Sequence, residues 1–181
     1  MDASFVIDNR GVTALVPRDG ELWETTDEPS EPVAMQDRHA VLAYGSNADP
    51  QQLHGRLSPT RAEPVMVIRA KITGFDAAWC NARRGDGQVV STLTARSGTH
   101  PTYVLMLTDD QRAEIDLHEG HPRWYQRSVL GTTVRLESGV VLPSVIAYIG
   151  TKENRPVLRD SAGEPLWMSA VDYTVVDKQV D

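Results

Sequence analysis

The tetrapeptide Tyr44-Gly45-Ser46-Asn47 closes the apolar run Ala40-Val41-Leu42-Ala43 and leads into Asp49-Pro50. Asp49 can accept hydrogen bonds from the first N–H groups of a helix, and the fixed φ of Pro50 suits its first turn. A strand ending at Tyr44 and a helix beginning just beyond Asn47 gather several backbone N–H groups around one point. The helix dipole adds partial positive charge there. Gly45 lets a ligand approach the main chain closely. Such a loop can hold a carboxylate or a developing oxyanion. Equally, Asn47 or Asp49 can do no more than cap the helix, with Gly45 making a turn. Asp49 would compete for the same donors, so an anion is expected nearer Gly45 and Ser46.

The second candidate is the carboxylate of Glu119. Thr108 with Gln111 three residues on forms a capping-box pattern, and Gly120 offers a left-handed stop, so the residues between read as a helix. Ile115 and Glu119 are four apart and share a face. With Ile115 facing the core, Glu119 turns inward too, against the helix dipole and away from water. Burial raises a carboxyl pKa toward neutrality, where the group becomes a general base. The alternative is an exposed side chain on a fraying helix end.

Other groups are less specific. His118 and His121 flank Glu119, but their spacing and the intervening Gly120 do not match a zinc-binding His-Glu-x-x-His helix. No cysteine pair adds ligands, so no metal is expected. Arg83-Arg84 either clamps a carboxylate bidentately or sits solvated on a hairpin tip. Cys80 reads as a buried structural thiol. A Gly-x-Ser-x-Gly elbow, a P-loop and a dinucleotide glycine fingerprint are all absent.

Positioning these groups falls to short strands in quick succession: 65–73, 77–81, 88–95, 102–107, 125–136 and 140–149, after the first strand at 40–44. Arg84-Gly85-Asp86-Gly87 and Glu137-Ser138-Gly139 supply hairpin turns. The expected fold is α+β, a small mixed β-barrel of six or seven strands with two or three short helices. Residues 1–38 form an extension, with a hairpin about Asp19-Gly20 between Val12–Val16 and Leu22-Trp23. An acidic, proline-bearing linker follows over 25–37. Residues 151–181 form a C-terminal extension packed on the same domain, with a turn at Ser161-Ala162-Gly163 and a last helix or strand over 169–176.

The 181 residues, 40% hydrophobic and 24% charged, suit one globular domain, and a single cysteine allows no internal disulfide. A net charge of −7 is the wrong sign for a nucleic-acid surface. Neither a signal-peptide pattern nor an apolar run of the ~18 residues needed to span a membrane is present. A soluble, cytoplasmic protein acting on small molecules is expected, as monomer or homodimer.

Together, Val41-Leu42-Ala43-Tyr44-Gly45-Ser46-Asn47 and Ile115-Asp116-Leu117-His118-Glu119-Gly120 resemble the gamma-glutamyl cyclotransferase-like family. Ala70-Lys71-Ile72-Thr73-Gly74-Phe75 looks like that family's strand entering a glycine bend, and the resemblance covers about residues 39–150. It implies a pocket in which Tyr44, Gly45, Ser46 and Asn47 hold a glutamyl head and Glu119 is the general acid/base. Tyr125 and Tyr148 would also bind substrate, and no cofactor is needed. The implied reaction is intramolecular: the free α-amine of a γ-glutamyl group attacks its own γ-carbonyl, forming 5-oxoproline and expelling an amine or amino acid. Two other readings keep the pocket: γ-glutamyl transfer in a biosynthetic pathway, and a binding module without turnover. Ala48-Asp49-Pro50 departs from the family pattern, which often has a leucine after the asparagine.

Overall fold

The computed structural model describes residues 3–9, 11–19, 22–26, 33–57 and 63–180. Two long strands organise it. β6 (Val65–Arg83) and β7 (Val89–Leu107) form one antiparallel hairpin, its tip tied by Arg84 and Gln88. Four shorter strands were expected here. They fuse because Gly74 (φ +81°) and Gly98 (φ +97°) absorb a register shift between Thr73 and Phe75, which bends the ribbon without ending it.

The first core strand, β5 (His39–Ala43), pairs antiparallel with β7 and parallel with β11 (Val145–Gly150), and β8 (Tyr125–Leu130) borders β11. On its other edge β6 meets β1 (Phe5–Asp8) along 65–67 and β9 (Val134–Leu136) along 70–72. β2 (Gly11–Asp19), β3 (Leu22–Thr25) and β4 (Val33–Ala34) continue outward from β1, and β10 (Val141–Leu142) pairs with β9. The expected hairpin of the arm is therefore present as β2–β3. Its turn residue Gly20 and residues 27–32 of the expected linker lie outside the described residues, while 33–34 add a strand to β3.

The fold is α+β, but the expected six- or seven-stranded barrel is not what forms. Among the described residues nine strands run in the order β4-β3-β2-β1-β6-β7-β5-β11-β8, with β9 and β10 off this path, in an open mixed sheet of eleven whose path ends β4 and β8 are not joined. The edge of β6 away from β7 is shared, β1 of the arm taking 65–67 and β9 taking 70–72. The expected strands at 125–136 and 140–149 each divide. β8 and β11 pair with one another, whereas β9 crosses to β6 with β10 beside it, and Pro143, which has no N–H to donate, lies in the second break.

Alternation along β5 sends Val41 and Ala43 to one apolar cluster, with Leu105, Leu107, Ile115 and Tyr148. Leu42 goes to the opposite cluster with Met66, Ile68 and Val104. Both faces of the sheet are thus covered, as a continuous apolar strand requires. α1 (Pro50–Arg56) is capped by Asp49, and α2 (Asp109–Glu119) carries the reciprocal Thr108–Gln111 box and ends on Gly120 at φ +59°. After β11 the chain returns along the far half of β6. Leu158 N donates to Trp79 O, Asn81 N to Pro156 O and Trp79 N to Leu166 O. A third cluster, Trp79, Val89, Leu158, Val176 and Val180, fastens this segment, which ends in the short helix α3 (Tyr173–Val176). No helix among the described residues is long and apolar enough to cross a membrane.

Candidate active site

The residues after β5 form a short 3-10 turn, Gly45–Ala48, before α1 begins. Gly45 has φ +69°, a conformation that calls for glycine, and a Cβ placed there would lie 2.8 Å from Ser91 Oγ and have to turn that hydroxyl aside. The Asp49 carboxylate accepts from the N–H groups of Gln51 and Gln52 at 2.8 and 3.3 Å, which occupies the first donors of α1. The leading N–H groups of the turn, at Gly45 and Ser46, precede any residue that could accept from them within the turn. The competition from Asp49 is thus resolved by distance along the chain.

Glu119 faces inward from the last turn of α2, its side chain only 13% exposed. Asn47, itself buried, donates from Nδ2 to Glu119 Oε1 at 2.8 Å. Arg56 joins the two: Nη1 donates to Asn47 Oδ1 and lies 3.7 Å from Glu119 Oε1, while Nη2 donates to Ser46 Oγ at 2.8 Å. Burial pushes the Glu119 carboxyl above its ordinary 4.5, and the Asn47 hydrogen bond and the charges of Arg56, His118 and Arg155 pull less strongly the other way. The fraying-end alternative does not apply, because Gly120 closes the helix with N–H bonds back to it.

Tyr44 donates its hydroxyl to the carbonyl of Tyr148, and Tyr125 donates to the carbonyl of Ser91 at 2.9 Å. The Tyr148 hydroxyl donates to Asp116 Oδ1 at 2.8 Å, and Arg127 holds the other oxygen of Asp116. Burial raises the pKa of all three phenols, so they stay neutral. Tyr44, Gly45, Ser46, Asn47, Glu119, Tyr125 and Tyr148 all line one cavity of about 800 Å³. Every residue singled out from the sequence for this site is therefore brought to it.

The lesser candidates have other attachments. His118 Nε2 pairs with the carbonyl of Arg56 at 2.9 Å, and His121 Nδ1 accepts from the Arg127 N–H at 3.2 Å. Arg83 donates to Asp177 Oδ1 and to the carbonyls of Asp177 and Val180, each at 2.7 Å, which binds the hairpin tip to the C-terminal segment. Arg84 is held by Asp86 at the cavity rim. Cys80 is fully buried, and burial pushes its thiol up to about 12, as expected of a structural cysteine.

Several wall residues went unnoticed in the sequence. Arg56 had a usable signal, since it lies three past the inward Leu53 on α1. Ser91, Trp124, Arg155, Met168 and Tyr173 also line the cavity, and no local pattern marks them.

No protein-family model and no curated protein sequence matches the chain. Solved structures do resemble it. A protein from Arabidopsis thaliana, known from its solution structure, is 20% identical with a TM-score of 0.50 over 79% of this chain and 85% of that one. An uncharacterized protein from Homo sapiens gives a TM-score of 0.52 at 18% identity, over 66% and 69% of the two chains. A structure described as a gamma-glutamyl cyclotransferase gives 0.51 at 17% identity, over 65% and 68%. The chain has the gamma-glutamyl cyclotransferase-like fold.

Proposed function

We propose that this cavity converts γ-glutamyl groups to 5-oxoproline, with Glu119 as the general base. The observation that carries the reading is the buried Glu119 carboxylate, raised in pKa and hydrogen-bonded to Asn47 of the Gly45–Ala48 turn inside one cavity. The glutamyl head sits against the Gly45 and Ser46 N–H groups. Glu119 takes a proton from the α-ammonium, and the freed amine forms a bond to the γ-carbonyl carbon of the same residue. The resulting oxyanion is stabilised by convergent donors. The attacking nitrogen gives up its second proton to the departing nitrogen, Glu119 returns the first to it, and the bond from the carbon to that nitrogen breaks, leaving a neutral lactam and an ammonium.

Nucleophile and electrophile belong to one molecule, so no enzyme nucleophile takes part and no cofactor supplies chemistry. Arg56 orders the Ser46 and Asn47 side chains and limits how far the Glu119 pKa rises. Tyr125 and Tyr148, whose hydroxyls are already engaged, present ring faces to the substrate. In this reading residues 39–150 carry the catalytic unit, with 1–38 and 151–181 as extensions of it. The substrate is a small molecule of the cytoplasm, and the protein works as a monomer or homodimer.

The test is to incubate the protein with γ-glutamyl amino acids, γ-glutamyl amines and glutathione and to assay 5-oxoproline. Failure to form it from every one of them overturns the proposal. A ligand that raises Tm but is recovered unchanged identifies a binding module. Appearance of a new γ-glutamyl amide when an amine is added identifies transfer.

A further inference from the structure

Arg155 lies in the cavity wall, where its charge helps lower the Glu119 pKa, but the reaction just described gives it no contact with the substrate. It is 8% exposed, with its guanidinium stacked 4.6 Å from the Trp124 ring centroid and 5.8 Å from that of Tyr125. Nη1 donates to the carbonyls of Asn154 and Arg83 at 3.0 and 3.5 Å, but Nε, also buried, has no acceptor. No carboxylate among the described residues forms an ion pair with it. The other arginines of the cavity are each engaged by a carboxylate: Arg56 by Glu119, Arg83 by Asp177 and Arg84 by Asp86. Glu119 is near enough to feel the charge of Arg155 but not to pair with it, and a buried guanidinium with no carboxylate in contact is unfavourable.

The position is built, not incidental. A Cβ on Gly150 would lie 2.5 Å from Arg155 Cβ, so glycine there lets the two segments close. The Arg155 N–H donates to Thr151 O at 2.8 Å, and its carbonyl accepts from the Cys80 thiol at 3.5 Å. With its backbone and its ring stack fixed, the guanidinium is held in one orientation at the cavity wall, so little freedom is lost when an anion meets it.

We infer that Arg155 binds a carboxylate of the ligand. Resting on the reaction proposed above, which gives the glutamyl head to the Gly45–Ser46 donors, this is the carboxylate of the departing group. Arg155 thereby selects substrates that release an amino acid or peptide over those that release a carboxylate-free amine. Trp79, Val89, Met168 and Tyr173 line the same cavity and offer apolar surface to the rest of the departing group.

The experiment compares γ-glutamyl-L-alanine, its C-terminal amide and its head α-amide by calorimetric binding and by 5-oxoproline release. Wild-type protein, Arg155→Lys and Arg155→Met are measured. On the wild type, amidating the alanine carboxylate raises Kd and KM by about 10- to 100-fold, the scale of a hydrogen bond to a charged group, with kcat changed less. Arg155→Met no longer distinguishes acid from amide, and Arg155→Lys keeps part of the preference. Equal binding of acid and C-terminal amide by the wild type overturns the inference, as does binding of neither. So does a penalty confined to the head amide, or a preference that survives in a folded Arg155→Met. If that variant fails to fold, the wild-type comparison decides. If the acid outbinds the amide but 5-oxoproline never forms, the reaction falls and the Arg155 site stands. If 5-oxoproline forms equally well from both, the reaction stands and this inference falls.

Discussion

The two walls of the cavity are built on different terms. One, from Tyr44 to Arg56 and the end of α2, is closed on itself: Asn47, Glu119, Arg56 and Ser46 satisfy one another within a few ångströms. The other, from Trp124 through the C-terminal segment, is fastened by backbone bridges to β6 and by Arg83, yet leaves the Arg155 Nε without an acceptor. A self-satisfied cluster keeps a base at a fixed place and a tuned pKa whether or not ligand is present. An incomplete one has capacity left for a ligand to fill. Under the proposed reaction the division puts chemistry on the first wall and recognition on the second.

The largest effect expected is on the first wall. Glu119→Gln should fold normally, since an amide oxygen can still accept from Asn47, and lose at least ~10²-fold in kcat, the scale of a general base. Retained turnover would remove the division between the walls. In the wild type, kcat should fall on acidification along a limb centred above 4.5, because the base must be ionised and burial has raised its pKa. The stability sign follows from the same shift. Between the unfolded and the higher folded pKa, the native state holds more protons than the unfolded state. The Glu119 contribution is therefore full below the unfolded pKa and is lost as pH rises through the folded one. Thermal unfolding of wild type and Glu119→Gln across that window measures it.

Gly45→Ala comes next. A non-glycine residue in the left-handed region costs about 1–2 kcal/mol, and the new Cβ meets Ser91 Oγ at 2.8 Å. Tm should fall by roughly 2–8 °C for a chain of this size, and calorimetry of Gly45→Ala with and without Ser91→Ala separates strain from contact. Gly150→Ala sharpens the comparison from the other side. Its Cβ displaces Arg155, so KM for carboxylate-bearing substrates should rise up to about tenfold, or ~1.4 kcal/mol, with kcat nearly unchanged. The smallest effect is Asp177→Ala. It removes a partly exposed ion pair worth less than ~1 kcal/mol, since Arg83 keeps its carbonyl acceptors. Faster hydrogen exchange over 173–180 is its expected sign.

The same contrast explains what could be read from the sequence. Caps, turns and strand ends are encoded over a few residues, so the Asp49 cap, the Thr108–Gln111 box, the Gly120 stop and the inward Glu119 were legible. The shared cavity for Tyr44–Asn47 and Glu119 followed once a family pattern joined the two. Arg155, Met168 and Tyr173 reach the site through pairing of 156–168 with β6, a long-range arrangement with no local periodicity. The barrel expectation failed for a related reason. Strand count came from local patterns, whereas closure depends on long-range pairing, and the edge of β6 is shared between β1 of the arm and β9. Gly74, read as a bend between strands, is a bulge within one.

The parallel pairing of β5 with β11 also sets an order of assembly. The Tyr44 hydroxyl bonds a carbonyl 104 positions further along the chain, and Val41 pairs with Ile146. During synthesis the β6–β7 hairpin can zip from its own tip as soon as it emerges, because its partners are neighbours in sequence. The cavity floor has to wait for β11, so a nascent or proteolysed fragment that stops short of it should bind nothing, however well its hairpin is formed.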